Sequence, residues 1–325
     1  MSGFLTILRP GMMMTVQDAG RFGLLHQGVS ASGAMDPDAY RIANALVSND
    51  AGSAVLEFAI MGGALSVSRD CRIAITGGAC DIRIGDRVLP GWESHWLKAG
   101  EILTIGALRD ATWGYVAVSG GIDTAPVLGS RSTHLRTALG GHQGRLLAAD
   151  DALPLGREPE RDCLCLGRPF RRAIGPIRVV AGPQDDYFSK EIWQRLLTES
   201  FSVGTMRDRM AAMLDGPSLP AIRGHDIVSD GTLAGSLQVP SSGRPIVLMA
   251  DRQTTGGYPK IATIISADLG RFAQMPSGRA FRFRAVSAEQ AEDVGLRAAR
   301  ELSDVIATLI PAETDVETAM EEMAS

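Results

Sequence analysis

Short apolar runs separated by glycine and charged positions make up most of the first half of the chain, and each run has the length of a strand. Gly85-Asp86 lies between two of the runs and suits a two-residue hairpin turn. Short strands at this spacing favour an antiparallel barrel or sandwich over alternating strands and helices. The predicted strands of this half are 4–9, 55–60, 65–68, 73–76, 81–84, 87–89, 102–105 and 113–119.

One helix interrupts this series of strands. Asp36 is a favourable N-cap residue and Pro37 suits the first helical position. Tyr40, Ala43 and Leu46 then recur on one face, which is the spacing of an amphipathic helix. The sequence therefore predicts a helix that begins at Pro37 and ends before Asn49.

The second half of the chain repeats the β-rich pattern after a stretch, 150–175, in which prolines, glycines and charges show no periodicity. Ser189 is a predicted N-cap, and Ser287 with Gln290 forms a predicted capping box for a last helix that runs to about Ile310. The predicted strands are 177–181, 225–229, 237–239, 246–250 and 281–286. We expect a mostly β protein with a few helices, in an N-terminal lobe over 1–155, a C-terminal lobe over 176–310 and an acidic tail over 311–325.

Composition narrows the class of protein. The 325 residues are 45% hydrophobic and 21% charged, with a net charge of −5, which is ordinary for a soluble globular protein and argues against a general nucleic-acid binder. No apolar run approaches the ~18 residues of a membrane span, so a cytoplasmic protein is expected. Cys163 and Cys165 form CxC without neighbouring histidines, and we therefore expect free thiols and no metal site.

Polar residues and glycines concentrate in four segments, 15–36, 119–145, 206–216 and 235–274, while phosphate-loop, nucleophile-elbow and zinc-protease motifs are absent. Arginine, aspartate, threonine and histidine occur together there, and these types bind anions and transfer protons. Ordinary turn chemistry explains the same composition. The residue types alone leave both interpretations open.

The segments also resemble a known family. TVQDAGRFG with GVSASGAMDPDAYRIAN, VSGGID with GSRST and GGHQGR, and GSLQVPSSGRPIVLMADRQTTGGYPKIATII look like the KipA-type family. That family is also called allophanate hydrolase subunit 2, includes the C-type subunit of ATP-dependent 5-oxoprolinase, and is similar to part of the carboxyltransferase domain of urea carboxylase. The resemblance implies a cyclophilin-like antiparallel β-barrel architecture.

The resemblance implies a subunit of a multi-subunit enzyme. In the favoured interpretation the complex opens the lactam of 5-oxoproline to L-glutamate, with ATP as cosubstrate, together with a B-type (KipI-like) subunit and a lactam-utilisation A-type subunit. One alternative is a biotin-dependent carboxyltransferase subunit, for which biotin would be the cofactor. The other is a KipA-like regulatory binding protein without turnover.

Candidate site residues come from the family-like segments. Asp251 is the candidate carboxylate for proton transfer, Lys260 the candidate cation that polarises a carbonyl, and Tyr258 a hydrogen-bond donor. The candidates for binding substrate or nucleotide are Arg131, Arg145, Ser130, Thr254, Thr255, Gly256 and Gly257. Turn bracing is the alternative role for the arginines. Asp18 and Arg21 are predicted to form an ion pair within one turn.

The chain departs from the family pattern after Arg209. Relatives usually have glycine and arginine at the positions of Ala211 and Met213. If that arginine holds an anion in the relatives, this chain lacks the arginine. The identity of the substrate and the catalytic activity of this chain are therefore left open by the sequence.

Overall fold

The computed structural model describes residues 3–159 and 161–312. Its N-terminal strands form a six-stranded sheet with the order β11-β1-β4-β9-β6-β7 and a five-stranded sheet with the order β2-β3-β10-β5-β8, both antiparallel. These strands are β1 (Phe4–Arg9), β2 (Thr15–Gln17), β3 (Val55–Ala59), β4 (Ala64–Val67), β5 (Cys71–Thr76), β6 (Ile82–Ile84), β7 (Arg87–Leu89), β8 (Ser94–Leu97), β9 (Ile102–Ile105), β10 (Trp113–Val118) and β11 (Ala152–Pro154).

The five-stranded sheet is buried on both faces. In β10, Val116 and Val118 belong to the apolar core between the two sheets. Tyr115 and Ala117 alternate with them and belong to a second cluster, which continues into the C-terminal strands. Successive side chains point to opposite faces of a strand, so this sheet separates the N-terminal core from the core that the two lobes share.

The helix α1 (Pro37–Leu46) packs on the second face of that sheet. The carboxylate of Asp36 accepts a hydrogen bond from the backbone N–H of Ala39 at 3.4 Å, and Pro37 occupies the first helical position. Ile42 and Leu46 are fully buried in the shared cluster. The predicted helix and its cap are therefore confirmed.

The C-terminal strands form an eight-stranded sheet with the order β21-β14-β15-β18-β17-β20-β13-β22. Only Arg282 separates β21 from β22, the two outer strands, so the sheet curls into a nearly closed barrel. The pairing is antiparallel except between β13 and β22. The remaining elements are β12 (Leu164–Leu166), β13 (Ile177–Ala181), α2 (Lys190–Thr198), β14 (Phe201–Arg207), β15 (Ala211–Asp215), β16 (Asp230–Gly231), β17 (Ser236–Gln238), β18 (Ile246–Leu248), β19 (Thr255–Gly256), β20 (Lys260–Ile264), α3 (Ser266–Ala273), β21 (Ala280–Phe281), β22 (Phe283–Ala285), α4 (Ala288–Ala307) and β23 (Leu309–Pro311).

The mostly β class and the barrel are confirmed, as are the N-cap at Ser189 and the capping box of Ser287 with Gln290. The predicted strand over 225–229 is wrong: Val228 is 93% exposed and the segment joins no sheet. The predicted strand over 281–286 is broken at Arg282, because its halves pair with different strands.

Two boundaries also differ from expectation. The stretch over 150–175 contains β11 and β12, and α4 ends at Ala307 because β23 follows and pairs with β12. The lobe limits at 155 and 176 stay a prediction. Most of the predicted acidic tail, 313–325, lies outside the described residues. In the described parts of the chain no helix is long and apolar enough to cross a membrane.

Candidate functional site

A buried ionic network joins the two lobes. Arg209, in the turn between β14 and β15, donates from Nε and Nη2 to the two carboxylate oxygens of Asp251 at 3.0 and 2.9 Å. Its Nη1 donates to Glu57 of β3, and Nη2 also donates to the carbonyl oxygen of Gly33 at 2.7 Å. Glu57 further accepts from the hydroxyl of Tyr115 at 2.8 Å. We call Glu57, Tyr115, Arg209 and Asp251 the junction network.

The charges of the junction network stabilise one another. Burial raises the pKa of Glu57, and the charge of Arg209 opposes that shift. Burial alone would lower the pKa of Arg209, but Asp251 and Glu57 raise it above its ordinary value. A buried ion pair of this kind is costly to break, since either partner alone becomes an uncompensated charge. The network therefore holds the N-terminal sheet against the C-terminal barrel.

A second set of contacts joins two of the polar segments within the N-terminal half. The carboxylate of Asp18 accepts hydrogen bonds from the hydroxyls of Ser130 and Ser132 at 2.6 and 2.5 Å. It also accepts from the backbone N–H of Arg131 at 2.5 Å. The imidazole of His134 then lies 3.4 Å from the carbonyl oxygen of Asp251. The segments 15–36, 119–145 and 235–274 therefore meet at one place.

The predicted ion pair between Asp18 and Arg21 is wrong. Arg21 donates from Nη2 to the carbonyl oxygen of Ser132 at 2.6 Å instead. Its Nε and Nη1 are enclosed and find no acceptor among the described residues, and the enclosed hydroxyl of Ser32 is likewise without a hydrogen bond there. Burial lowers the pKa of Arg21, and the charges of Asp18 and Asp251 oppose this.

A polar cluster lies on the C-terminal barrel, beneath the two-residue ladder that β16 forms with β19. Lys260 is 1% exposed and donates from Nζ to Asp230 at 2.7 Å. Gln184 donates to the same carboxylate oxygen at 3.2 Å. Gln238 and Lys260 are register partners on β17 and β20. We call Gln184, Asp230, Gln238, Arg252 and Lys260 the ladder cluster.

The ladder cluster contains donors without acceptors. Arg252 is 5% exposed, and the single hydrogen bond of its guanidinium within the described residues runs from Nε to the carbonyl oxygen of Thr232 at 3.4 Å. Burial lowers its pKa, with no charged neighbour acting against that shift. The Nε2 of Gln238 is also buried without an acceptor, although its Oε1 accepts from Gln253 at 3.3 Å.

The structure divides the predicted catalytic residues between these two regions. Asp251 lies in the junction network with Arg209, whereas Lys260 lies in the ladder cluster with Asp230. Each of the two candidates therefore has another charged partner in the fold, Arg209 for Asp251 and Asp230 for Lys260. Tyr258 is 40% exposed, beyond the end of β19.

The other candidate binding residues of the segment 235–274 belong to the ladder of β16 and β19 or lie next to it. Thr255 and Gly256 form β19 itself, and the carbonyl oxygens of Thr254 and Gly257 accept from the N–H groups of Thr232 and Ile227. A Cβ on Gly256 would lie 2.2 Å from Nε2 of Gln238, so only glycine fits there without displacing the amide.

The predicted binding residues of the N-terminal half are engaged elsewhere. Arg131 donates to the carbonyl oxygen of Thr124 at 2.7 Å and to Asp123 at 2.6 Å. Arg145 donates to both carboxylate oxygens of Asp151 at 2.7 Å. These contacts brace turns, which was the alternative role for both arginines. Ser130, 1% exposed, is committed to Asp18.

Sequence reasoning missed Glu57, Arg209, Asp230, Gln238 and Arg252. Glu57 carried a usable signal, because a lone carboxylate within the buried run VLEFA needs a partner. Arg252 stands inside the longest family-like segment, directly after the chosen Asp251. Asp230 carried no signal, since its role depends on a ladder that only the fold creates.

The described residues contain no group of three histidine, cysteine, aspartate or glutamate side chains that could hold a metal ion. The cysteines Cys71, Cys80, Cys163 and Cys165 form no disulfide.

Comparisons with known proteins agree with the resemblance of the segments. The chain is 40% identical to the C-type subunit of 5-oxoprolinase from Escherichia coli, over 88% of this chain and 93% of that one. It is 35% identical to the C-type subunit of 5-oxoprolinase from Haemophilus influenzae, over 85% and 89%. The crystal structure of the Kluyveromyces lactis urea amidolyase superposes with a TM-score of 0.86 at 25% identity, over 93% of this chain and 20% of that much longer one.

The family model that matches describes a carboxyltransferase domain, subdomains A and B, and it covers residues 27–285. That range includes the whole junction network and the whole ladder cluster. The resemblance inferred from the segments is thereby confirmed: the chain belongs to the carboxyltransferase domain A and B family, which it shares with subunits of 5-oxoprolinase.

Proposed function

We propose that this chain is the C-type subunit of a multi-subunit ATP-dependent 5-oxoprolinase, which converts 5-oxoproline to L-glutamate. The observation that carries this proposal is the similarity to two 5-oxoprolinase subunits over nearly the full length of both partners. The chain works with a B-type (KipI-like) subunit and a lactam-utilisation A-type subunit.

The reaction needs activation of a lactam, because amide resonance makes direct attack by water slow. The lactam oxygen attacks the γ-phosphorus of ATP, the bond to the β-phosphate oxygen breaks and ADP leaves. Water then adds to the ring carbon, and the carbon–nitrogen bond breaks as the nitrogen takes up a proton. Hydrolysis of the resulting acyl phosphate gives glutamate and phosphate.

The ladder cluster supports the part of this chemistry that concerns the lactam. Lys260 is a buried ammonium held by Asp230, which Gln184 also contacts, and such a cation stabilises negative charge on a carbonyl or phosphoryl oxygen. Asp230 is half exposed, so the pair is open to solvent on one side. In this proposal Lys260 polarises the lactam, and Asp251 acts by holding Arg209 and the lobe junction in place.

We place the triphosphate of ATP mainly on a partner subunit. The sequence has no phosphate-loop motif. Arg131 and Arg145, the first candidates for phosphate binding, already bond to Asp123 and Asp151. A phosphate would have to displace these carboxylates.

Reconstitution tests the proposal. The chain is expressed with the products of its neighbouring genes, the complex is purified, and glutamate and ADP are measured with 5-oxoproline and ATP. We expect equal amounts of both products, and none when this chain is left out. Turnover by the other subunits without this chain would contradict the proposal.

A biotin-dependent carboxyltransferase subunit is the second candidate, and the likeness to the urea amidolyase structure favours it. In that case biotin is the cofactor, carried on another protein or segment. The purified complex would then accept carboxyl groups from carboxylated biotin and would form no glutamate from 5-oxoproline. The same reconstitution separates the two candidates. Binding of the partner subunits without either turnover would point to a KipA-like regulator.

A further inference from the structure

We propose that Arg252, with the amide of Gln238 beside it, forms a subsite for a carboxylate group on the ligand of this family site. Arg252 is 95% buried, and no carboxylate of the described residues lies within 4 Å of it. A buried charge is normally paired, because an unpaired one loses its hydration without compensation. The terminal nitrogens of Arg252 have no acceptor in the described residues and are not among the enclosed unpaired atoms, so they reach the surface, where an anion from outside the chain can bind them.

Comparison with the other buried and partly buried arginines singles out Arg252. The fully buried Arg72 pairs with Glu158. Arg209 has two carboxylate partners in the junction network. Arg207 has no carboxylate partner either, and burial lowers its pKa to about 10. Its terminal nitrogens, however, donate to the carbonyl oxygens of Ala273 and Met275. The terminal nitrogens of Arg252 have no such acceptor in the described residues.

Arg21 and Arg271 also have enclosed donors without an acceptor in the described residues. Arg271 already pairs with Asp268, and the electrostatic surroundings of Arg21 are less suitable for an anion. The negative charges of Asp18 and Asp251 both act on it and supply part of a counter-charge. An incoming carboxylate would meet repulsion from these two groups. Burial lowers the pKa of Arg252, and no carboxylate of the described residues forms an ion pair with it that an incoming anion would have to displace.

A second donor lies close to Arg252. The Nε of Arg252 donates to the carbonyl oxygen of Thr232, and Thr232 Cγ2 lies 3.3 Å from the position that a Cβ on Gly256 would take. The unused Nε2 of Gln238 lies 2.2 Å from that same position. The guanidinium and the amide therefore belong to one neighbourhood, in which the amide of Gln238 packs directly against Gly256.

The chemistry of these donors points to a carboxylate. Guanidinium groups match the two oxygens of a carboxylate with parallel N–H groups, and a neighbouring amide can donate to the same ligand. The charge of Lys260 is balanced by Asp230, so one net positive charge remains in the cluster. Identifying the ligand as 5-oxoproline, which carries a carboxylate beside its lactam, rests on the proposed function. A carboxyl group carried on biotin presents the same chemistry.

Calorimetric titration of the full chain tests the subsite, because all its residues belong to this chain. The probes are 5-oxoproline, 2-pyrrolidinone, which has the lactam without the carboxylate, and bicarbonate. The variants are Arg252→Gln and Arg252→Lys, with Arg207→Gln as the control at a partly buried arginine whose terminal nitrogens bond backbone carbonyl oxygens. Thermal unfolding of each variant checks that it is folded, and Arg252→Lys keeps the charge if Arg252→Gln unfolds.

We expect 5-oxoproline to bind the unaltered chain and Arg207→Gln alike, and Arg252→Gln at least about tenfold more weakly, the usual scale for a lost charge-assisted hydrogen bond. The affinity of Arg252→Lys should lie between these two values, since lysine keeps the positive charge but lacks the parallel N–H groups of the guanidinium. 2-Pyrrolidinone should bind weakly, and with equal affinity, to the unaltered chain and to all three variants. Equal binding of the two lactams, or binding that does not depend on Arg252, would overturn the subsite, as would failure of both carboxylate probes to bind.

The outcomes also separate the subsite from the proposed function. Binding of bicarbonate that depends on Arg252, without binding of 5-oxoproline, keeps the subsite and contradicts the 5-oxoprolinase proposal. Glutamate formation by the reconstituted complex with an unchanged KM in Arg252→Gln keeps the proposed function and removes the subsite.

Discussion

The junction network and the ladder cluster are both buried, polar and built from family-like segments, yet their hydrogen bonding differs. In the junction network Arg209 meets Asp251, Glu57 and the carbonyl oxygen of Gly33, so its donors are occupied. In the ladder cluster the guanidinium of Arg252 makes one long hydrogen bond within the described residues, and the amide of Gln238 leaves its nitrogen unused. The first arrangement is complete by itself, whereas the second lacks an acceptor.

This difference in hydrogen bonding indicates two roles for buried charge, one in holding the fold together and one in binding a ligand. A network in which every hydrogen-bonding group has a partner fixes the relative position of the lobes, and a ligand would add no hydrogen bond to it. An unsaturated cluster destabilises the empty chain slightly and becomes satisfied when an anion binds, which is a common arrangement at functional sites. Changes in the junction network should therefore affect folding first, and changes in the ladder cluster should affect binding and turnover first.

The largest effect is expected for Arg209→Met. The change leaves Glu57 and Asp251 buried without a cation, and such a loss typically costs about 3–5 kcal/mol. Chemical denaturation measures the free energy of unfolding, with Arg244→Met as the control, since the pair of Arg244 with Asp215 is exposed. Equal stability of the two variants would show that the junction does not hold the lobes together.

The next effect concerns turnover. Lys260→Met removes the ammonium proposed to polarise the lactam, and we expect the rate of the reconstituted complex to fall by ~10²-fold or more. Lys98→Met, on an exposed lysine of the N-terminal lobe, is the control. The rate of glutamate release is the measurement, and a normal rate in Lys260→Met would remove this residue from the mechanism.

Asp251→Asn distinguishes catalysis from positioning at the junction. The variant keeps the size of the side chain but weakens the two contacts with Arg209. We expect a loss of stability of about 2 kcal/mol or more, since hydrogen bonds to charged groups contribute ~1.5–3 kcal/mol. Denaturation and turnover are measured on the same preparation. A folded, fully stable variant without activity would return Asp251 to the catalytic role that the sequence suggested.

Two neighbouring glycines offer a matched comparison on the ladder. Gly256→Ala would place a methyl group against the buried amide of Gln238, whereas the nearest atom to a new Cβ on Gly257 is the carbonyl oxygen of Ile227 at 3.6 Å. We expect Gly256→Ala to raise the KM for 5-oxoproline several-fold, and Gly257→Ala to leave it unchanged. Equal effects of the two variants would show that the space beside Gln238 is not used by a ligand.

The smallest effect is expected for Arg145→Gln. Arg145 lies in a turn and, like Arg209 in the junction network, already has carboxylate oxygens as partners for its N–H groups. The hydrogen bonds from Arg145 lower the pKa of Asp151 to about 2. A carboxyl whose pKa is lower in the folded chain stabilises it above its ordinary pKa, and this contribution disappears as the pH falls toward 2. The variant should therefore be slightly less stable than the unaltered chain at pH 6, and this difference should shrink as the pH falls from 4 through about 2. Melting temperatures over that range provide the test, and a difference that does not shrink toward low pH would contradict it.

The sequence predicted those parts of the fold whose causes are local. The cap at Asp36 and the capping box at Ser287 depend on side chains within three residues of the helix start, and both occur as predicted. The turn at Gly85-Asp86 joins β6 to β7 for the same reason. The false strand at 225–229 has a suitable composition, but it enters no sheet, and the N–H of Ile227 donates to the carbonyl oxygen of Gly257 outside any strand pairing.

The candidate site was harder to predict, because it depends on contacts between distant segments. Lys260 and Asp251 are nine positions apart, yet each finds its partner elsewhere: Asp230 for the lysine and Arg209 for the aspartate. Residue types showed that these segments carry charge. They could not show which charges the fold neutralises and which, such as Arg252, it leaves without a partner.

A crystal structure of the reconstituted complex with 5-oxoproline tests the central claim most directly, namely that the ladder cluster holds the ligand and the junction network holds the lobes. We expect the carboxylate of the ligand to lie within hydrogen-bond distance of the guanidinium of Arg252. We expect the contacts of Arg209 with Glu57 and Asp251 to be unchanged. A ligand bound at the junction between Arg21 and Asp251, with Arg252 still without an acceptor, would contradict it.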